Sequence, residues 1–149
     1  MSAKEETYKH ICQVRDELSK VVGNLLTRSN FHDLSKLQSP EAEIFEEYTG
    51  KLSKSTYGSD EYKQFLKDMK PALDHHYQAN SHHPEHYENG IKGMSLLDII
   101  EMICDWRAAT LRHENGDIMK SIEINQKRFG YSDELKQIFI NTVNELYKK

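Results

Sequence analysis

Side chains able to bind a metal are concentrated in this chain. Of its 149 residues eight are histidine, and His75, His76, His82, His83 and His86 all fall between positions 75 and 86. His32 and Asp33 are adjacent, with His10 upstream and Asp105 downstream. A divalent ion takes neutral imidazoles and ionised carboxylates, and it binds with little entropic loss when rigid elements hold those groups together. Metal-assisted chemistry is therefore the first expectation. His82 and His83, ahead of Pro84 and Glu85, belong to an irregular stretch that suits one ligand and one proton donor.

The elements that must position these groups are helices. Apolar residues recur with helical period and no segment alternates with period two, which predicts an all-α, single-domain bundle of about six to seven helices over residues 1–149. The first helix is expected over about 3–28, where Ile11, Val14, Leu18, Val21 or Val22 and Leu25 recur at three and four; His10 shares that inward face. Asp33 follows a break and begins a short turn through Lys36. Ser39-Pro40 opens a second helix that stops at Gly50, ahead of a polar loop over 51–59. The acidic run from Glu41 to Glu47 reads as its solvated face.

A third helix is expected from about Asp60 to Asn80, bent near Pro71. Its stripe of Phe65, Met69 and Leu73 extends to His76 and Asn80, whereas His75 points about 100° away. Residues 80–94 form a loop. Ser95 with Asp98 three residues on caps a helix to about Arg112, with Asp105 on a narrow polar stripe shared with Asp98, Glu101 and Arg112. Two C-terminal helices, about 117–129 ending at Gly130 and about 133–147 capped by Ser132, complete the bundle.

His10, the pair His32-Asp33 and the distant Asp105 resemble, in that order, the signature of the HD superfamily of metal-dependent phosphohydrolases. HDLSK at 32–36 resembles the HD-x-x-K form of subfamilies that hold two metals and add histidines in the interval filled here by HHYQANSHHPEH. The similarity covers about residues 7–112, and is closer still to an uncharacterised HD-like family with HDxSK and paired histidines. It implies a first ion on His10, His32, Asp33 and Asp105, and a second shared through Asp33 and completed by His76 and His82 or His83. The implied cofactors are one or two divalent ions of iron, manganese, cobalt, nickel or zinc, with a water acidified between them as nucleophile. Two such ions cannot take every histidine, so His75, Asn80, Glu85 and Glu101 are expected to support the ligands. Lys36, an ordinary solvated lysine without the motif, would meet a substrate phosphate, and His83 would protonate the leaving oxygen.

The function implied is hydrolysis of a phosphomonoester or phosphodiester, nucleotide-like and small. The alternatives are a two-iron oxygenase of the same superfamily and a non-catalytic nucleotide-binding module; more than four convergent ligands argue against a closed structural zinc site. A formal net charge of -4 provides no broad basic surface for nucleic acid. No apolar run is long enough to span a bilayer and the opening MSAKEETYKH lacks the apolar core of a secretory signal, so a cytoplasmic monomer or small homo-oligomer is expected. Cys12 and Cys104 are expected as free thiols. No P-loop, nucleophile elbow, C-x-x-C pair or H-E-x-x-H helix is present.

Overall fold

A computed structural model of the chain describes residues 1–56, 59–112 and 114–147. All regular structure among them is helical, as expected: seven α-helices and three short 3-10 turns, with no strand. None of these helices is long and apolar enough to cross a membrane. The chain divides into two units, Met1–His32 and Asp33–Lys149.

The first unit is one helix, α1 (Ala3–Phe31). Ser2 and Glu5 form a reciprocal capping box, the Glu5 carboxylate taking the Ser2 N–H at 2.6 Å, which satisfies donors that the first turn would otherwise leave open. The helix outruns its expected end because neither glycine nor proline stands between Arg28 and Phe31. A lone helix has no interior, and no residue of α1 is buried.

In the second unit, Asp33 takes a left-handed conformation (φ 56) and leads into a 3-10 turn, Leu34–Leu37; aspartate is among the few residues that tolerate this backbone. The second helix, α2 (Glu41–Lys54), begins one residue after Pro40 and does not stop at Gly50. Gly50 keeps a negative φ, and without a left-handed residue to end it the helix continues for another turn. Of the loop expected at 51–59, residues 51–54 belong to α2 and Ser55, Thr56 and Ser59 are non-helical; Tyr57 and Gly58 lie outside the described residues.

The helix expected from 60 to 80 is two helices, α3 (Asp60–Asp68) and α4 (Lys70–Ala79), parted at Met69. Pro71 is the cause: its ring conflicts with the carbonyl four residues back in a continuous helix, but is well tolerated in the first turn of a new one. Beyond Asn80 the chain makes 3-10 turns at Pro84–His86 and Gly90–Gly93. Ser95 and Asp98 then form the anticipated capping box for α5 (Leu96–Thr110). Gly130, at φ 65, ends α6 (Ile118–Phe129), and α7 runs from Asp133 to Tyr147.

These last three helices share a core of Met102, Ile103, Ile122, Tyr131, Phe139 and Val143. Trp106 lies edge-on to Phe139, ring centroids 5.8 Å apart, and the Tyr131 hydroxyl donates to Ile122 O. That rigid base fixes α5, and with it Asp98, Glu101 and Asp105.

Candidate metal centre

Four side chains of the second unit converge. Asp33, His76, His82 and His83 each offer a ligand atom, and these atoms all lie within 4.8 Å of one another. His76 Nε2 stands 3.5 Å from Asp33 Oδ1 and 2.9 Å from His83 Nε2, and His82 Nε2 stands 3.4 Å from the same aspartate oxygen. Asp105 Oδ2 is 3.9 Å from His82 Nε2. His76 and His82 are nearly fully buried, at 3% and 1% exposure. The five come from four local structures: the left-handed turn for Asp33, the inward stripe of α4 for His76, the turn after Asn80 for His82 and His83, and the polar stripe of α5 for Asp105.

Carboxylates stand behind two of the imidazoles. Glu101 Oε1 lies 3.2 Å from His82 Nδ1. Glu41, fully buried, places Oε2 2.9 Å from His76 Nδ1 and Oε1 2.7 Å from His75 Nδ1. Metal-bound histidines characteristically give their far N–H to such groups, which fixes the ring and leaves the near nitrogen's lone pair for the ion. Burial works to raise the Glu41 carboxyl's pKa, but hydrogen bonds from His75, Ser35 and His76 outweigh it and hold the group below its ordinary value. Burial above all pushes His83 down to about 3, any like charge on His82 and His76 acting in the same direction and Asp105 and Asp33 partly against it. His83 is therefore neutral at neutral pH, the state a ligand needs. Three imidazole nitrogens and a carboxylate oxygen suit a divalent transition metal.

The supporting residues fall into place unevenly. Lys36 Nζ binds Asp33 Oδ2 at 2.6 Å and stays 42% exposed, so its ammonium sits beside the group while turning Asp33 Oδ1 toward the histidines. Asn80 Nδ2 donates to Ser35 Oγ and to His76 O, both at 2.8 Å, holding the end of α4 against the 3-10 turn. Glu85 instead pairs with Arg128 Nη2 at 2.5 Å, tying the histidine-bearing turn to α6. His86 donates through Nδ1 to Tyr77 O at 2.9 Å. His10 and His32 belong to the first unit: His10 is exposed on α1, and His32 closes that helix, half-buried.

Glu41 is the residue that the sequence reading missed, since the run Glu41–Glu47 was expected to face solvent throughout. The stripe of α2 carries the signal: Tyr48 and Phe45 are partly buried, and one turn before Phe45 on the same face is Glu41, 0% exposed.

A cavity of about 390 Å³ adjoins the group, lined by His83 and Asp105, by Tyr77, Trp106 and Phe129, and by Asn125 and Arg128 among others. Its volume is that of a small-molecule site. A family model described as "Family of unknown function (DUF5662)" matches residues 1–148. No curated protein and no solved structure matches the chain.

Proposed function

For a chain that belongs to the DUF5662 family of unknown function, we propose metal-dependent hydrolysis of a small phosphoric ester, in the manner of the HD superfamily that its HDLSK motif resembles. The observation that carries this is the convergence of Asp33 Oδ1 with nitrogens of His76, His82 and His83 within 4.8 Å of one another, beside a cavity whose wall includes His83 and Asp105. A ligand group that opens on a cavity favours catalysis over a closed structural site.

Asp33, His76, His82 and His83 would hold a divalent ion there, which would supply positive charge to a phosphoryl oxygen and acidify water. The chain's own groups do the rest. Glu41 and Glu101 hold the His76 and His82 rings, and neutral His83 keeps its lone pair available. Lys36, at the Asp33 carboxylate, offsets charge that develops on the phosphoryl group. Tyr77, Trp106 and Phe129 give the cavity flat apolar surface, and Arg128 on α6, paired with Glu85, lines it beside them.

The test is metal content of protein purified without a nickel column, in wild type and in the double variant Asp33→Ala/His82→Ala, alongside hydrolysis of generic phosphoesters with added manganese, iron, cobalt or zinc. Bound metal that the variant loses, together with metal-dependent turnover, supports the proposal. Bound iron without turnover transfers the site to the two-iron oxygenase class, for which the same nitrogen and oxygen donors are suited. Absence of metal after reconstitution sinks both.

A further inference from the structure

Glu41 is buried more completely than any other carboxylate among the described residues, and it faces two consecutive histidines that leave α4 in different directions. We propose that Glu41 is a positioning residue that fixes the tautomer of both: it holds the proton of His75 and of His76 on Nδ1, and so leaves the His76 Nε2 lone pair bare on the side of the ring where Asp33 and His83 stand, available to a cation. The inference deepens the metal-centre proposal and rests on it only for its consequence, not for the tautomers themselves.

The hydrogen-bond inventory around Glu41 allows one assignment. The Asn80 amide has two protons, and they go to His76 O and Ser35 Oγ, each at 2.8 Å. Its 3.2 Å approach to His76 Nδ1 therefore has no proton left to donate. Ser35 Oγ, accepting from Asn80, has one proton and two neighbours, Glu41 Oε2 at 3.2 Å and His76 Nδ1 at 3.4 Å; it donates to the nearer, charged oxygen, since a bare Nδ1 would face the carboxylate at 2.9 Å with no proton between them. An ionised carboxylate only accepts, so the ring nitrogens at 2.9 and 2.7 Å must be the donors. Both histidines then carry N–H at δ1, and in a neutral ring the other nitrogen is a bare acceptor. For His76 that nitrogen is the one 2.9 Å from His83 Nε2 and 3.5 Å from Asp33 Oδ1. One buried carboxylate thus prepares a ligand inside and, through the half-exposed His75, ends at the surface.

The arrangement makes Glu41→Gln informative, because a carboxamide accepts at one end and donates at the other. Ser35 and His76 both donate into the Oε2 position, so the amide oxygen belongs there and the NH2 group falls opposite His75 Nδ1. His75 must then move its proton to Nε2, while His76 keeps its proton on Nδ1 but loses the carboxylate's charge behind it.

Nitrogen-15 NMR of the histidine rings, on the full chain treated with chelator, reads these tautomers directly. Nδ1–H on His75 and His76 in wild type, and Nε2–H on His75 alone in Glu41→Gln, is the expected result. Titration with manganese or zinc should then show affinity about tenfold or more weaker in the variant. Nε2–H on His76 in wild type overturns the inference without any variant, as does a folded Glu41→Gln chain in which His75 keeps Nδ1–H. If wild type binds no metal, the proposed function fails while the wild-type tautomers still decide the role of Glu41.

Discussion

Glu101 Oε1 lies 3.2 Å from His82 Nδ1, at the far side of the ring from the nitrogen that meets Asp33 Oδ1 at 3.4 Å. α5 thereby contributes to the site through a residue that touches a ligand as well as through Asp105. Replacing Glu101 by Gln keeps the shape and removes the charge that makes His82 a better donor to a cation. Metal affinity, followed by competition with a chromophoric chelator, should fall about 10- to 100-fold, while helicity and thermal midpoint stay near wild type. An affinity equal to wild type removes Glu101 from the site.

Lys36 makes a different prediction because its partner, Asp33, is a candidate ligand and its head is open to solvent. An exposed ion pair contributes at most about 1 kcal/mol, so Lys36→Met should change metal affinity less than about fivefold by that measure. Turnover is another matter: a cation aimed at developing phosphoryl charge contributes about 100-fold to the rate. The expected outcome is a fall of that order in kcat with metal content intact, and equal losses in both would reduce Lys36 to a spacer for Asp33.

How far the site was legible in the sequence follows from the regularity of each element. His76 could be picked over His75 because α4 continues the stripe of Met69 and Leu73, and a helical stripe fixes direction. His82 and His83 could not be separated, since they lie on a turn without a period; only the structure shows His82 buried at 1% and His83 half-buried beside the cavity. The break at Met69 was visible as Pro71 but read as a bend, because a proline one residue into a new helix and a proline inside an old one look alike in sequence. Glu41 was hidden for a further reason: a carboxylate is buried only when partners satisfy it, and two of its three, His75 and His76, are 34 and 35 residues away.

Asp98 is the structural counterpart of Glu41. It is 3% exposed and accepts from Ser81 Oγ at 2.7 Å, from the Tyr87 hydroxyl at 2.8 Å and from Ser95 N at 2.8 Å, which ties the 80–95 segment to the start of α5. Burial raises its pKa, but the hydrogen bonds of Ser81, Ser95 and Tyr87 outweigh that and hold it well below the usual 3.8. A carboxyl with a depressed folded-state pKa stabilises fully above its unfolded value, and that contribution is lost as pH falls below it. Acid unfolding of wild type should therefore steepen below pH 3.8, and Asp98→Asn should lack that limb. At neutral pH, Asp98→Ala should cost about 3 kcal/mol, from a lost cap and two stranded hydroxyls.

Removing metal should act locally. The ligand atoms come from the turn at Asp33, the end of α4 and the turn at His82-His83, none of which belongs to the cluster of Met102, Ile122 and Phe139 that joins α5, α6 and α7. Stability in such a chain is held in separable units, and a ligand protects mainly the unit it bridges. Hydrogen exchange with and without chelator should thus show faster exchange around 33–37 and 76–86 when metal is withdrawn, with the amides of α6 and α7 unchanged. Uniform loss of protection through α6 and α7 would mean that the ion supports the whole fold, as a structural zinc does, and the catalytic proposal would then lose its footing.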